Sequence, residues 1–351
     1  MNGIISDTHC HNYSQFASVN KDGVNSRLRI ILDEIEHCAN RVAMSGGNKL
    51  FHCGDLFHVR GNVAPSVLNP TVELFKSIVD MGVKPIILCG NHDAEFKHTN
   101  ELGSAVTSLA NVGCEIVNQI TVMDNILLCP WYVDKEELLA EIEKRLELNS
   151  KIDTVMMHAS LDGVFSHIKG NAAIDPKSFF ERFPNVKRVF AGHLHKHQLV
   201  YEDDTHKAYS VGAICHHNWG DAGADAGFML FDDKTEHFVQ SSAPRFLDAS
   251  DHFKTIEDLG KASRGNYVRC TVEMTDSEVK QFRKALEKYN PAGVTIICHT
   301  PVEARADRLT VSSTESLDSI VGRFINDRID VDSSMKEKIQ KIANEIMRGV
   351  E

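Results

Sequence analysis

The chain has 351 residues, long enough for one large domain and a smaller one, with 42% hydrophobic and 25% charged residues. No stretch of about 18 residues is free of charge, and the N-terminus has no cationic segment leading into an apolar one, so neither a membrane span nor a secretory signal is expected. A net charge of −11 argues against general electrostatic capture of nucleic acid, although bound metals or a partner could still supply positive charge to a nuclease. Nine cysteines, none in a CxxC pair and several inside apolar runs, point to reduced buried thiols in a cytoplasm-like compartment rather than to a disulfide framework.

In chain order, residues 3–6 read as a short strand. Ser26 is expected to cap a helix whose Leu28, Ile31, Leu32, Ile35 and Cys38 share one face. A strand ending at Cys53, a helix over 70–81, a strand VKPIILCG and a helix near 102–110 follow. ITVMDNILLCP reads as a hairpin turning at Asp124-Asn125, and the Glu/Lys spacing of 134–149 predicts a helix. DTVMMH and VKRVFAG are two further strands, and 197–241 carries strands only. Residues 242–263 lack periodicity and are expected to be a linker. A small β-α-β unit comes next (NYVRCTVEM, DSEVKQFRKALEKY, VTIICHTPV), then two amphipathic helices over about 315–328 and 333–349. The pattern implies a layered α/β domain with its loops, and any ligand site, at the strand C-termini.

Polar, metal-competent residues recur where the apolar runs end. The endings are Asp7-Thr8-His9, Gly54-Asp55, Gly90-Asn91-His92-Asp93, His158 and Gly192-His193-Leu194-His195. Any one of them alone would serve equally well as a helix cap, a turn residue or a structural histidine. Five together are a different matter. Carboxylates, imidazoles and one amide oxygen form a mixed nitrogen and oxygen donor set, suited to manganese, iron or zinc. Two metals need a bridging carboxylate, and Asp55, between the two groups in the chain, is the natural bridge. A pair about 3.5–4 Å apart can activate water and clamp a phosphoryl group. The glycines before Asp55, Asn91 and His193 allow a sharp turn and keep bulk away from the site.

The series DxH…GD…GNHD…H…GHxH over residues 7–195 resembles the calcineurin-like metallophosphoesterases. The resemblance implies a metallophosphoesterase β-sandwich flanked by helices, with Asp7, His9, Asp55 and His195 around one metal and Asp55, Asn91, His158 and His193 around the other. His92 would then protonate the leaving group, a role that imidazole chemistry near neutral pH suits. GDLFHVRG lacks the second aspartate of the GDxxDRG found in protein phosphatases of this fold. GDLFH, with GHLHKHQ and the segment YSVGAICHHNWGDAGADAGFMLFD, instead resembles the SbcD family of DNA nuclease subunits, of bacterial or phage origin.

That likeness implies a DNA nuclease domain over 1–242, a small α+β capping domain over 263–312, and C-terminal helices over 315–351 that dock on an SbcC-like ABC/SMC-type ATPase. It further implies a homodimer within a heterotetramer, two divalent ions (Mn2+ foremost, with Mg2+, Fe2+ or Zn2+ as alternatives), and a cytoplasmic location in a bacterium or phage-infected host. His58 would position the DNA strand near the scissile phosphate, and Arg60, Lys97 and Lys196 are expected to contact substrate. The helices at 70–81 and 102–111 lie where SbcD proteins dimerise, yet Leu74, Phe75, Ile78, Val106 and Leu109 could equally be core. Departures include SDTHCHN, which lacks the usual glycine, a long loop over 11–25, and the extra histidines His11, His216 and His217, of which at most one is expected to touch metal or substrate. A small-molecule phosphodiesterase of the same fold and a non-catalytic binding subunit are the rival expectations.

Overall fold

The computed structural model describes residues 1–95, 103–164, 173–249, 253, 255–299, 317–328 and 331–348. It divides into two compact units, Met1–Cys298 and His299–Glu351.

The first unit is built on two six-stranded sheets. One has β1 (Asn2–Ile5), β2 (Lys49–His52), β3 (Lys84–Leu88), β4 (Glu115–Val117), β11 (Gly227–Phe231) and β12 (Glu236–Gln240), in the order β12-β11-β1-β2-β3-β4. The other has β5 (Thr121–Met123), β6 (Ile126–Cys129), β7 (Thr154–His158), β8 (Arg188–Gly192), β9 (Gln198–Glu202) and β10 (Lys207–Ser210), in the order β5-β6-β7-β8-β10-β9. β1 to β4 run parallel, as do β6, β7, β8 and β10, so the C-terminal ends collect on one edge of each sheet.

Side-chain alternation explains the layering. Ile4, Phe51, Ile86 and Leu88 of the first sheet meet Leu128, Met156 and Phe190 of the second in a shared inner core. Ile5, Leu50 and Ile87 face outward onto α1 (Ser26–Met44) and α2 (Pro65–Asp80). Leu127, Val155, Met157 and Val189 face outward onto α3 (Lys135–Leu148) and α4 (Pro176–Arg182). Phe51 and Phe190 are fully buried, each contributing on the order of 2 kcal/mol. All nine cysteines are free thiols, eight of them buried.

Several elements differ from the sequence expectation. The cap of α1 is Asn25, whose side chain accepts from the amides of Arg27 and Leu28, and Ser26 is the first helical residue. α2 starts at Pro65 and carries Pro70 inside it. Both prolines suit a first turn, and the periodicity 70–81 does not reveal which one opens the helix. The segment near 102–110 is a 3-10 helix over Ala105–Val112. β4 and α4 are additional elements. The 242–263 stretch holds β13 (Phe246–Asp248) and α5 (Ile256–Ser263), both too short for periodicity to betray them. With α6 (Asp276–Glu287), they complete a small three-stranded parallel sheet, β13-β14-β15, in which β14 is Tyr267–Val272 and β15 is Gly293–Cys298. Leu259, Val268, Cys270 and Leu286 form its own core.

Phe75, Ile78, Val106 and Leu109 are fully buried in the outer core of the first sheet, and Leu74 packs partly buried against it. These side chains are therefore core. The second unit contains α7 (Leu317–Arg328) and α8 (Ser333–Arg348), which pack together and leave Phe324, Met335 and Ile342 exposed. Among the described residues no helix is long and apolar enough to cross a membrane.

Candidate metal centre

The parallel strands deliver the five polar endings to one place. Asp7 and His9 follow β1, Asp55 follows β2, Asn91 and His92 follow β3, His158 ends β7, and His193 and His195 follow β8. The backbone there is tightly turned: Asp7, His9, Asp55 and His193 all have positive φ, at 50°, 42°, 59° and 90°. Such conformations are uncommon outside glycine and persist only where the surroundings hold them. Gly54 (φ 96°) passes so close to His158 that a Cβ would lie 2.3 Å from Nδ1. A Cβ at Gly90 would lie 2.2 Å from the Asp55 carboxylate.

The ligand candidates sort into two groups, and a third cluster, His9, His58 and His92, shares His9 with the first of them. Asp7, His9 and His195 converge within 4.8 Å of one another, and so do Asp55, His158 and His193. Asp55 faces both, with Oδ2 3.7 Å from His9 Nε2 and Oδ1 3.4 Å from His158 Nε2. Asn91 Oδ1 lies 2.9 Å from His158 Nε2 and 2.8 Å from His193 Nδ1. The far nitrogens of two imidazoles are already used. His158 Nδ1 donates to the Cys53 carbonyl at 2.7 Å, and His195 Nδ1 donates to Asp221 at 2.9 Å. Their Nε2 atoms are thereby turned to the centre, the usual outer support of a metal-binding imidazole.

The imidazoles of the centre are shifted in opposite directions: burial lowers His9, and lowers His193 to about 4. Burial disfavours charge on His158, yet Asp55 and Asp7 outweigh it and hold that imidazole up at about 9. His195 is likewise held at about 9 against burial, by Asp221 and Asp7. Burial opposes ionisation of Asp55 too, but His158 and His9 keep it well below the usual carboxylate range. Two buried carboxylates thus draw positive charge onto their neighbours, and oxygen and nitrogen donors converge around them. The donor set fits a pair of divalent ions.

His58 and His92 stand beside these groups, half-buried. Their rings stack at 5.7 Å and each lies edge-on to His9. The His92 amide donates to Asp55 Oδ1 at 2.8 Å, and its Nδ1 donates to the His58 carbonyl at 2.7 Å, leaving Nε2 as the outward nitrogen. His58 Nδ1 lies 3.4 Å from His9 Nδ1. Burial, with His11 and His92, lowers the His58 imidazole to about 4, so it is neutral at pH 7.

The remaining expected contacts are less uniform. Arg60 spends its Nε on the Asn91 carbonyl at 2.6 Å, bracing the loop that carries a ligand candidate. Lys196 is half-buried in the turn between His195 and His197, and Lys97 lies outside the described residues. Of the extra histidines, His11 sits 5.0 Å from the His58 ring. His216 is a buried structural link, donating to the Ala224 carbonyl and accepting from the Phe246 amide. His217 is buried behind Asp7, to whose carbonyl Nε2 donates at 2.7 Å.

Two carboxylates had no assigned role in the sequence. Asp93 is fully buried and accepts from the amides of Asp55, Leu56, Phe57 and Gly90, tying two strand endings together. Burial and the Asp55 charge push it up to about 7, against the Phe57 and Gly90 amides and His158. Its only sequence signal was membership of GNHD. Asp221 orients His195 and also accepts from the His217 and Asn218 amides. It lies 26 residues from His195, at the end of a 3-10 helix (Trp219–Asp221) that interrupts the strands expected alone over 197–241.

The profile of the calcineurin-like phosphoesterases matches residues 3–197. Exonuclease subunit 1 of Enterobacteria phage T4 is 24% identical over 328 residues, covering 90% of this chain and 92% of that protein. Among solved structures, a dimetal phosphatase from Danio rerio aligns with 69% of this chain and 98% of its own, at 12% identity and a TM-score of 0.43. The Pseudomonas putida nuclease MPE aligns with 65% of this chain and 84% of its own, at 13% identity and a TM-score of 0.31.

Proposed function

The chain belongs to the calcineurin-like phosphoesterase family and is a metal-dependent phosphoester hydrolase, and from that premise we propose that it is a two-metal DNA nuclease of SbcD type. The observation that carries the choice of DNA is the His58–His92 pair at the edge of the metal centre. The similarity to a phage exonuclease subunit over nearly the whole of both chains supports the same reading.

Asp7, His9, Asp55 and His195 would hold one ion, and Asp55, Asn91, His158 and His193 the other, with Asp55 shared. When bound, such a pair acidifies water and neutralises charge on phosphoryl oxygens. The donor set suits Mn2+. His92, fixed at its amide and at Nδ1, presents Nε2 to the departing sugar oxygen and gives it a proton. Neutral His58 positions the strand by donating a hydrogen bond, which needs no net charge. Arg60 steadies the Asn91 loop.

We also assign the small parallel sheet to a DNA-capping role. The exposed Phe324, Met335 and Ile342 of α7 and α8 support docking on an SbcC-like ATPase in the cytoplasm. The dimer proposed within that assembly must use surface other than the buried Phe75, Ile78, Val106 and Leu109.

The test compares Mn2+-dependent turnover of single-stranded DNA and of bis-p-nitrophenyl phosphate in wild type and His58→Ala. A DNA nuclease cleaves both, and His58→Ala loses DNA cleavage by 10-fold or more while largely keeping the small ester. Wild-type enzyme that turns over only the small ester, indifferent to His58, would instead be a small-molecule phosphodiesterase.

A further inference from the structure

Arg27 is a buried cation, 5% exposed, in the first turn of α1 and far from the metal-site motifs in sequence. Its guanidinium donates to the carbonyls of His217 at 2.6 Å and His216 at 3.5 Å, and to the Gln15 carbonyl at 3.5 Å. Three ring faces surround it: Tyr13 at 4.2 Å, Phe246 at 5.1 Å and Tyr267 at 5.4 Å. Carbonyl dipoles and aromatic quadrupoles thus meet this charge. The three rings come from three places. Tyr13 is in the long 11–25 loop, Phe246 opens β13 and Tyr267 opens β14.

The carbonyls held by Arg27 belong to the turn that supports one metal group. His217 donates from Nε2 to the Asp7 carbonyl, and its amide donates to Asp221, which orients His195. The His217 ring lies 5.3 Å from His9 and 5.4 Å from His195. On the opposite side, the loop seats the small sheet. Phe16 stacks on Tyr267 at 4.9 Å and fills the room beside Gly293, where a Cβ would lie 2.3 Å from the Phe16 ring. His216 fastens the same turn to β13 through the Phe246 amide.

We propose that Arg27 is a positioning residue that keys the small parallel sheet and the 11–25 loop to the Asp7–His9–His195 group, so that the seating of the sheet sets the metal affinity of that group and leaves the Asp55–His158–His193 group untouched. Nη2 reaches both carbonyls of the turn while the charge stays within 5.4 Å of all three ring centroids. The loop and the extra histidines His216 and His217 thereby gain a common purpose. The proposal rests on the metal-ligand assignment given above.

Full-length protein settles it by Mn2+ titration calorimetry, with metal content after dialysis as a second readout. Wild type is expected to bind two ions, and Asp7→Asn to lose one, identifying that phase. Arg27→Met, which keeps length and apolar contact but no donors, is expected to weaken the same phase at least 10-fold while the other is unchanged. Arg27→Lys, with one donor head, should recover part of the loss. Phe16→Leu, which loosens the seating of the sheet and keeps Arg27, should weaken that phase by a smaller factor and covers the case in which Arg27→Met fails to fold. Unchanged binding in a folded Arg27→Met, equal weakening of both phases, or Phe16→Leu indistinguishable from wild type would each overturn the coupling. Wild type binding no metal, or Asp7→Asn binding both ions, would instead refute the ligand assignment.

Discussion

At the scale of single residues, the centre is organised by what each polar atom is left free to do. Asp55 places one oxygen toward His9 and the other toward His158, so its loss removes a donor from both groups. Its backbone amide is held by Asp93, and Oδ1 also takes the His92 amide. His92 is different, because its fixed atoms are spent on Asp55 and on the His58 carbonyl, and only Nε2 remains. Asp55→Ala should therefore lose bound Mn2+ as well as cleavage. His92→Ala should retain both ions by metal analysis after dialysis and lose kcat by about 10²–10⁴-fold, the usual contribution of a positioned acid. Full Mn2+-dependent cleavage by His92→Ala would overturn the acid role. Both side chains were legible in the sequence, since GD and GNHD end apolar runs. Asp221 was not legible, because nothing local ties it to His195.

Among the elements, the decisive feature is the abrupt turn after each parallel strand. Hydrogen bonding of the strands brings their ends together, but the ligands converge only because the chain turns into a left-handed conformation at Asp7, His9, Asp55 and His193. Gly54 shows how little room is left: it has a positive φ and runs against the His158 ring that donates to Cys53. Gly54→Ala adds backbone strain of about 1 kcal/mol or more to a steric clash with a fully buried ring. It should lower the unfolding midpoint in denaturant and weaken Mn2+ binding together. A variant with wild-type midpoint and metal affinity would mean that the ring yields freely. The long elements followed from periodicity, whereas β13 and α5 did not. Three and eight residues are too few for a pattern to stand out, and their structure comes from neighbours that pair with or cover them.

For the whole molecule, two sheets share one inner core and carry helices on their outer faces, so the catalytic edge is braced from both sides. Among the described residues, the donors grouped in that centre all belong to the unit Met1–Cys298. A chain ending at Cys298 should unfold cooperatively as a folded domain and keep basal Mn2+-dependent cleavage within about 3-fold, while losing any stimulation by the proposed ATPase partner. A truncated chain that unfolds, or loses basal cleavage, would make α7 and α8 part of the catalytic body instead.

By itself the sequence determined the candidate donors and the order in which they arrive, because apolar runs that end in carboxylates and imidazoles carry that information locally. It also determined the long helices and the hairpin at Asp124-Asn125. Only the tertiary structure decided which atoms meet: that Asp55 faces both groups, that Asp93 ties two strand endings through four amides, and that Asp221, His217 and Arg27 stand behind Asp7 and His195. The reason is physical. A ligand's chemistry belongs to the residue, whereas its support comes from carbonyls, amides and ring faces that folding brings in from distant parts of the chain. FHCGDLFHVRG therefore announced Asp55 and His58, and packing alone gave them His9, His92 and His158 as neighbours.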